Sequence, residues 1–295
     1  MKAKRLTSLR VLSRVLLLSA AAMGAGMAAN WLKKGFPLTI WNRTPARAEP
    51  LVTQGARLAA TPREAAEGAD VVVAMVADDD ASRGVWLGAT GALQGAKPGA
   101  IVIESSTLTP DWVRELAGKA QARGCRFLDA PVGGSRAAAA AGQLTFFVGG
   151  DAGTVEAARP ALEAVALSVN HVGATGAGAT WKLVNNMLIA IQTAGLAEAL
   201  AFARKSGFAP EQISALIGAS ASASPIVRGK LPRMIEGEFD ETDFALYLMH
   251  KDTRYAVALA EQLGAPHDVI AAAEAAFARA EAKGLGMKDF AAVAT

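Results

Sequence analysis

Lys182 and Asn186 stand four residues apart in the run Gly176-Ala-Gly178-Ala-Thr-Trp-Lys182-Leu-Val-Asn185-Asn186. Residues 180–206 are rich in alanine and leucine and contain no proline, which predicts a long helix. Side chains at i and i+4 share one helical face, so Lys182 and Asn186 point into the same space. An ammonium can give a proton to an oxygen and stabilise negative charge on it, and an amide can fix the orientation of a carbonyl. Opposite a hydride source, the pair would suit reduction of a carbon–oxygen double bond. A lone lysine in an apolar helix usually snorkels to solvent. The functional reading rests on the combination with Asn186, the preceding glycines and the distant pair Lys251-Asp252.

The rest of the chain must hold that pair and supply the hydride. With 295 residues, 52% of them hydrophobic, it can build a large core and suggests two domains. The net charge of +3 is spread out, and no basic stripe points to nucleic acid. One cysteine, Cys125, excludes an internal disulfide framework and reads as the start of a buried strand. His171, His250 and His267 lack metal-ligand spacing, so no metal is expected. Asp78-Asp79-Asp80 reads as capping after a strand in preference to metal binding.

At the N-terminus Lys2, Lys4, Arg5, Arg10 and Arg14 precede an apolar run over 15–18 and several alanines. That pattern also fits a secretory signal. The preferred reading is a basic extension over 1–14 followed by the first buried strand of an α/β domain, in a cytoplasmic protein, because cleavage would remove a strand that the following segments need. The apolar stretch is interrupted by glycines, so no spanning helix and no membrane partner are expected there.

Strand-like runs at 15–18, 38–41, 71–75, 100–103, 126–129 and 144–148 alternate with helical runs at 23–34, 61–67 and 110–123. Continuous apolar strands separated by helices predict a parallel sheet covered on both faces. After about residue 173 only helical patterns follow, at 180–206, 210–218, 225–236, 243–263 and 266–283. The expected fold is therefore α/β, a Rossmann-type doubly wound parallel sheet over 15–175, followed by an all-α C-terminal domain over 176–295. The apolar helix over 183–203 further suggests a homodimer or homotetramer.

A dinucleotide-binding loop would carry Gly-x-Gly-x-x-Gly between the first strand and the first helix. Here the register is Ser19-Ala20-Ala21-Ala22-Met23-Gly24, and only the third glycine is present. Its place in a strand–loop–helix unit still suits phosphate at the helix entry. The second strand ends at Trp41-Asn42-Arg43-Thr44. An arginine there in place of an acid favours the 2′-phosphate of NADP(H), with NAD(H) possible. A solvated surface turn is the alternative for Arg43 and Thr44.

Four blocks carry a resemblance to the β-hydroxyacid dehydrogenase family, which includes 3-hydroxyisobutyrate dehydrogenase and glyoxylate/succinic semialdehyde reductase. They are Met23-Gly24-Ala-Gly26-Met-Ala-Ala-Asn30 with Asn42-Arg43-Thr44; Asp129-Ala-Pro-Val-Gly133-Gly134-Ser135 running to Gly142-Gln-Leu144; residues 173–186; and Phe244 to Lys251-Asp252. The Gly-Gln-Leu block and the ending Gly284-Leu-Gly286-Met-Lys-Asp-Phe290 look closest to the glyoxylate/succinic semialdehyde reductase branch.

The resemblance implies roles. Lys182 matches the family's catalytic lysine and Asn186 its substrate-holding asparagine. Met23, Gly24, Asn42, Arg43, Thr44, Met75, Val76, Thr107 and Lys251 match cofactor-binding positions. Gly133, Gly134 and Ser135 match the loop that binds the substrate carboxylate, and Phe244 and Asp252 match residues that close the site. Two departures from the pattern stand out: Gly133 replaces a serine, and Ser19 and Ala21 replace phosphate-loop glycines. Backbone amides and Ser135, with help from Arg136, could still hold an anion.

The implied activity is NADPH-dependent reduction of a small aldehyde acid such as glyoxylate or succinic semialdehyde to the hydroxy acid, with Lys182 giving the proton. The alternatives are a catalytically impaired NADP-binding protein, a 3-hydroxyisobutyrate- or tartronate semialdehyde-type dehydrogenase, and an imine reductase on the same scaffold. Lys182 weighs against the last of these.

Overall fold

The computed structural model describes residues 14–18 and 22–295. Ser19, Ala20, Ala21 and the extension before Arg14, and with them the altered phosphate loop, lie outside the described residues. In chain order the elements of the first part are β1 (Val15–Leu18), α1 (Ala22–Lys33), β2 (Leu38–Trp41), α2 (Glu49–Val52), β3 (Arg57–Leu58), α3 (Pro62–Ala66), β4 (Val71–Ala74) and α4 (Asp79–Leu87). They continue with β5 (Ile101–Glu104), α5 (Pro110–Gln121), β6 (Arg126–Asp129), β7 (Val132–Gly133), α6 (Arg136–Ala141), β8 (Leu144–Gly150), α7 (Ala152–Glu163) and β9 (Ala166–Gly173). The second part is helical: α8 (Ala177–Lys205), α9 (Pro210–Ala219), α10 (Pro225–Glu236), α11 (Leu246–Leu263) and α12 (Asp268–Ala280).

The strand order is β3-β2-β1-β4-β5-β6-β8-β7, with β9 paired to β8. From β3 to β6 all pairs are parallel, and Leu17 pairs with Ile40 on one side and Val73 on the other. Alternate residues of these strands enter opposite cores, as a period of two requires. Leu17, Val71, Val73 and Ile103 pack with Met27, Trp31 and Phe146 on one face. Leu16, Val72 and Val102 pack with Trp86, Trp112 and Leu116 on the other. Burial on both faces explains why the strands read as unbroken apolar runs.

Two features depart from a purely parallel sheet. β8 runs antiparallel to β6 and to β7. β9, parallel to β8, alternates half-buried and exposed residues along the sheet margin, so it has no continuous apolar signature. Helices α4 and α7 were not separable by pattern; α7 even carries Pro160 internally. Their starts are set by side-chain caps: Asp78 accepts from the Ala81 amide at 2.8 Å and Asp151 from the Thr154 amide at 2.8 Å. The expected Thr-Pro start of α3 is present, with the Thr61 hydroxyl accepting from the Glu64 amide at 3.1 Å.

In the helical part, α8 runs for 29 residues and buries Leu183, Ala190, Ala194, Leu196 and Leu200. Small residues at 190 and 194 let α11 and α12 approach, where Leu246, Ile270 and Phe277 complete the core. The opposite face of α8 is not covered by the described residues: Trp181 (50%), Val184 (38%), Leu188 (52%) and Phe202 (76%) are exposed.

Candidate active site

The start of α8 is held by an acid from the sheet. Asp129, fully buried at the end of β6, accepts hydrogen bonds from the Gly176 amide at 2.8 Å and the Ala179 amide at 2.9 Å. These are orphan donors of the first helical turn, and a carboxylate there also complements the positive end of the helix. Burial pushes the Asp129 carboxyl up from its ordinary range, while the Gly176 and Ala179 amides pull it back down. Gly178 lies so close that an added Cβ would stand 2.4 Å from the Phe147 carbonyl oxygen. The glycines before Lys182 therefore serve helix docking against the sheet.

Lys182, one turn further on, is half-buried. Its amine is pulled down to about 8, first by burial, with nearby Lys251 acting in the same direction and Asp252 opposing. Such an amine exchanges protons near neutral pH, which suits a group that must both give and take one. Asn186 lies on the same side of α8 and is buried, and its Nδ2 donates to Asp252 Oδ2 at 2.5 Å. Asn185 in turn donates to Asn186 Oδ1 at 3.0 Å. Among the described residues Asp252 Oδ1 accepts no hydrogen bond, but Lys251 Nζ sits 3.0 Å away as an ion pair and balances its charge. A ligand hydroxyl or N–H could still donate to this oxygen.

Lys251 also ties the helical part to the sheet, donating to the Thr107 carbonyl at 2.5 Å. It lies over the Tyr255 ring at 5.0 Å, and the Asp79 amide donates to the Tyr255 hydroxyl at 3.4 Å. Burial, with help from nearby acids, pushes the Tyr255 phenol up to about 12. Next to Lys251, His250 is gripped by Glu274 at 2.8 Å and by Glu281, which fixes α11 against the chain that follows it. A cavity of ≈ 390 Å³ opens between Asp78–Asp80 and the α11 residues Tyr247, Lys251, Arg254 and Tyr255.

The sheet side of this cleft fits a dinucleotide. The strand order reverses between β1 and β4, where ligands bind doubly wound sheets at the carboxyl ends of the strands. Helix α1 has no acid in its first turn, which leaves that turn suited to an anion, and Gly24 is buried there beside half-buried Met23. Met75 and Val76 follow β4, and the Val76 amide donates to Ser106 Oγ at 2.8 Å. Ser105 Oγ, just past β5, is buried and has no hydrogen-bond partner among the described residues. Arg43 and Thr44 are exposed beyond β2, and Asn42 Nδ2 donates to the Thr44 carbonyl at 2.6 Å.

The loop expected to bind a carboxylate follows β6. Gly133 is half-buried, while Gly134 and Ser135 are exposed. Ser135 Oγ accepts from the Ala138 amide at 3.2 Å and so caps α6, which leaves its hydroxyl proton free to donate. The Arg136 guanidinium donates to the Thr242 carbonyl at 3.0 Å. Phe244 is half-buried, edge-on to Phe290 with centroids 6.0 Å apart. Trp181 is half-exposed and meets the Phe147 ring edge-on at 6.4 Å, so it packs against the margin of the sheet.

Two family models match successive parts of the chain. Residues 15–173 match the NAD-binding domain of 6-phosphogluconate dehydrogenase. Residues 176–295 match the NAD-binding domain of NADP-dependent 3-hydroxyisobutyrate dehydrogenase. The chain belongs to the 3-hydroxyisobutyrate dehydrogenase-like β-hydroxyacid dehydrogenase family. It is 34% identical to glyoxylate/succinic semialdehyde reductase 2 of Arabidopsis thaliana over 92% of this chain and 75% of that one. It is 40% identical to the NAD-dependent L-serine dehydrogenase of Pseudomonas aeruginosa over 68% of each. The solved 3-hydroxyisobutyrate dehydrogenase of Mycobacterium tuberculosis with L-serine superimposes with a TM-score of 0.86 at 31% identity, covering 96% of this chain and 98% of that one. The chain spans about half the length of other curated relatives: the cytokine-like nuclear factor N-PAC of Gallus gallus is 34% identical over 92% of this chain but 49% of that protein.

Hydrogen bonds link the four resemblance blocks in turn: Asn30 donates to the Ala139 and Ala140 carbonyls, Asp129 accepts the Gly176 and Ala179 amides, and Asn186 donates to Asp252. The pattern did not disclose Asp129's hold on α8, because the partners lie 47 and 50 residues apart in sequence. Nor did it disclose Tyr255, whose bond to Asp79 spans 176 residues.

Proposed function

We propose that this β-hydroxyacid dehydrogenase interconverts a small aldehyde acid and its hydroxy acid, with NADP(H) preferred and NAD(H) possible. The observation that carries the proposal is the Lys182 amine, held near a pKa of about 8 on the helical face it shares with the Asp252-bound Asn186. A bound nicotinamide supplies the hydride in one direction and accepts it in the other. Lys182 gives its proton to the carbonyl oxygen during reduction and takes it back from the hydroxyl during oxidation, general acid–base catalysis worth about 10²–10⁴-fold. Asn186, fixed by Asp252, orients the reacting oxygen. The 133–135 loop holds the substrate carboxylate through backbone amides and the Ser135 hydroxyl, and Phe244 and Asp252 close the site. Met23, Gly24, Asn42, Arg43, Thr44, Met75, Val76, Thr107 and Lys251 line the coenzyme, with Arg43 selecting its 2′-phosphate.

Glyoxylate or succinic semialdehyde is the leading substrate, supported by the plant reductase relative across 92% of this chain. Oxidation of L-serine is the second reading, supported by the bacterial relative and by the solved homologue. NADPH turnover with each aldehyde acid, beside NADP⁺ and NAD⁺ turnover with L-serine, decides between them. Loss of turnover in Lys182→Ala with NADPH binding intact supports the mechanism, and near-normal turnover overturns it. We further propose a cytoplasmic homodimer or homotetramer in which the exposed apolar side of α8 packs against a second copy. A monomer by light scattering at micromolar concentration rejects that assembly.

A further inference from the structure

We infer that Arg136 is a positioning residue, a latch that closes the cleft over the substrate by joining the sheet domain to the helical domain at the Thr242 carbonyl. The inference rests on the proposal that the 133–135 loop and Phe244 hold the substrate. Arg136 immediately follows that loop, and Thr242 precedes Phe244 by two residues. The guanidinium donates to Thr242 O at 3.0 Å across 106 residues of sequence, and Arg136 forms no ion pair among the described residues. It is exposed, so its place is not set by burial in a core.

Both ends of the latch are anchored. On the sheet side, α6 is clamped to α1: Asn30 Nδ2 donates to the carbonyls of Ala139 and Ala140 at 3.0 Å each and to that of Gly26 at 2.9 Å. The two helices are so close that a Cβ on Gly26 would stand 2.7 Å from the Ala139 carbonyl carbon. The loop that leads into α6 therefore moves with the helix that carries the phosphate-binding end of the coenzyme site.

On the helical side, Thr242 Oγ1 donates to the Met287 carbonyl at 3.1 Å, and the next amide, that of Asp243, donates to Asp289 Oδ2 at 3.1 Å. Asp289 is fully buried and accepts from Lys230 Nζ at 2.8 and 3.0 Å. The Phe290 amide donates to the Phe244 carbonyl at 3.0 Å. The 242–247 segment is thus bound along the C-terminal chain, and its Thr242 carbonyl is a fixed post. The Arg136–Thr242 bond is the tie nearest the 133–135 loop and Phe244, beside the more distant ties of Lys251 to the Thr107 carbonyl and of Asp79 to Tyr255.

The test separates a latch from a direct anion ligand. Arg136→Ala should lower kcat/KM by roughly fivefold to twentyfold, the range of a charge-assisted hydrogen bond discounted for exposure. The loss should be equal for the aldehyde acid and for a neutral aldehyde such as propanal, should lie mainly in KM for the acid, and should leave NADPH affinity unchanged. In a double-mutant cycle it should be less than additive with Phe244→Ala, since both relax the same wall. A loss confined to the acid would make Arg136 a carboxylate ligand and overturn the latch, as would unchanged kinetics with both substrates. Failure of the underlying mechanism shows separately, as turnover that survives Lys182→Ala.

Discussion

A Cβ placed on Gly178 would stand 2.7 Å from the carbonyl oxygen of Asp129 and 2.9 Å from its carboxylate. The same Asp129 carboxylate receives the amides of Gly176 and Ala179. Sheet and helix are therefore joined at a socket that admits only glycine and needs an acid. Gly178→Ala must push the start of α8 off the sheet and carry Lys182 with it. Misplacing a reacting group by about 1 Å costs up to ~10²-fold in rate, so kcat should fall by at least tenfold. Asp129→Asn leaves one amide facing an NH₂ group, and urea unfolding should show a loss of about 1–3 kcal/mol. Wild-type kcat in Gly178→Ala, with unchanged substrate KM, would refute the link between the socket and Lys182.

Much of this socket's neighbourhood was legible from sequence, and the reason is local. Val71–Ala74 and Ile101–Glu104 are buried on both faces, so they read as continuous apolar strands. Lys182 and Asn186 could be paired because helical periodicity is a short-range property. What stayed hidden is long-range or unpatterned. β9 is a margin strand with a mixed, half-exposed pattern, and the antiparallel turn of β8 has no signature in its own residues. Arg136 read as help for an anion because it adjoins the 133–135 loop; only the fold brings Thr242 to it. Apolar composition marked α8 as a helix to be buried within the chain or against a second copy, but not which face is which; Trp181, Leu188 and Phe202 are exposed among the described residues.

The pH dependence should differ between the two directions of reaction. On the proposed mechanism, with the Lys182 amine pulled down to about 8, reduction uses its protonated form and oxidation its neutral form. The rate of aldehyde reduction should be level below pH 8 and fall tenfold per pH unit well above it. Alcohol oxidation should rise through the same pH and then level off. Steady-state profiles of kcat/KM in both directions check this, and Lys182→Ala should abolish the inflection along with most of the rate. Profiles inflecting together in one direction would assign the titration to another group.

Asp252 offers a sign test on the same amine. Its negative charge favours the ammonium of Lys182, against burial and Lys251. Asp252→Asn removes that charge while keeping a polar side chain beside Asn186, so the inflection of the reduction profile should move below about 8. The neutral fraction of the amine at pH 7.5 would then rise, and reduction at that pH should slow relative to oxidation. A shift to higher pH, or none, would show that Asp252 acts on Asn186 alone.

Gly133 marks where this chain departs from its family, and the structure shows that the departure is not forced. A Cβ there would meet Phe147 Cε2 at 3.4 Å, an ordinary van der Waals contact, and Gly133 is not among the positive-φ glycines. A serine therefore fits without strain and adds a hydroxyl donor beside Ser135. One hydrogen bond to a charged acceptor contributes about 1.5–3 kcal/mol, less where water competes. Gly133→Ser should lower KM for the carboxylate substrate by roughly threefold to tenfold and leave NADPH affinity and kcat/KM for a neutral aldehyde unchanged. The opposite result, a raised KM for acids of every length with normal folding, would place the carboxylate elsewhere. A lowered KM for the shorter acid alone would instead show that the extra space at Gly133 makes room for a longer or branched substrate.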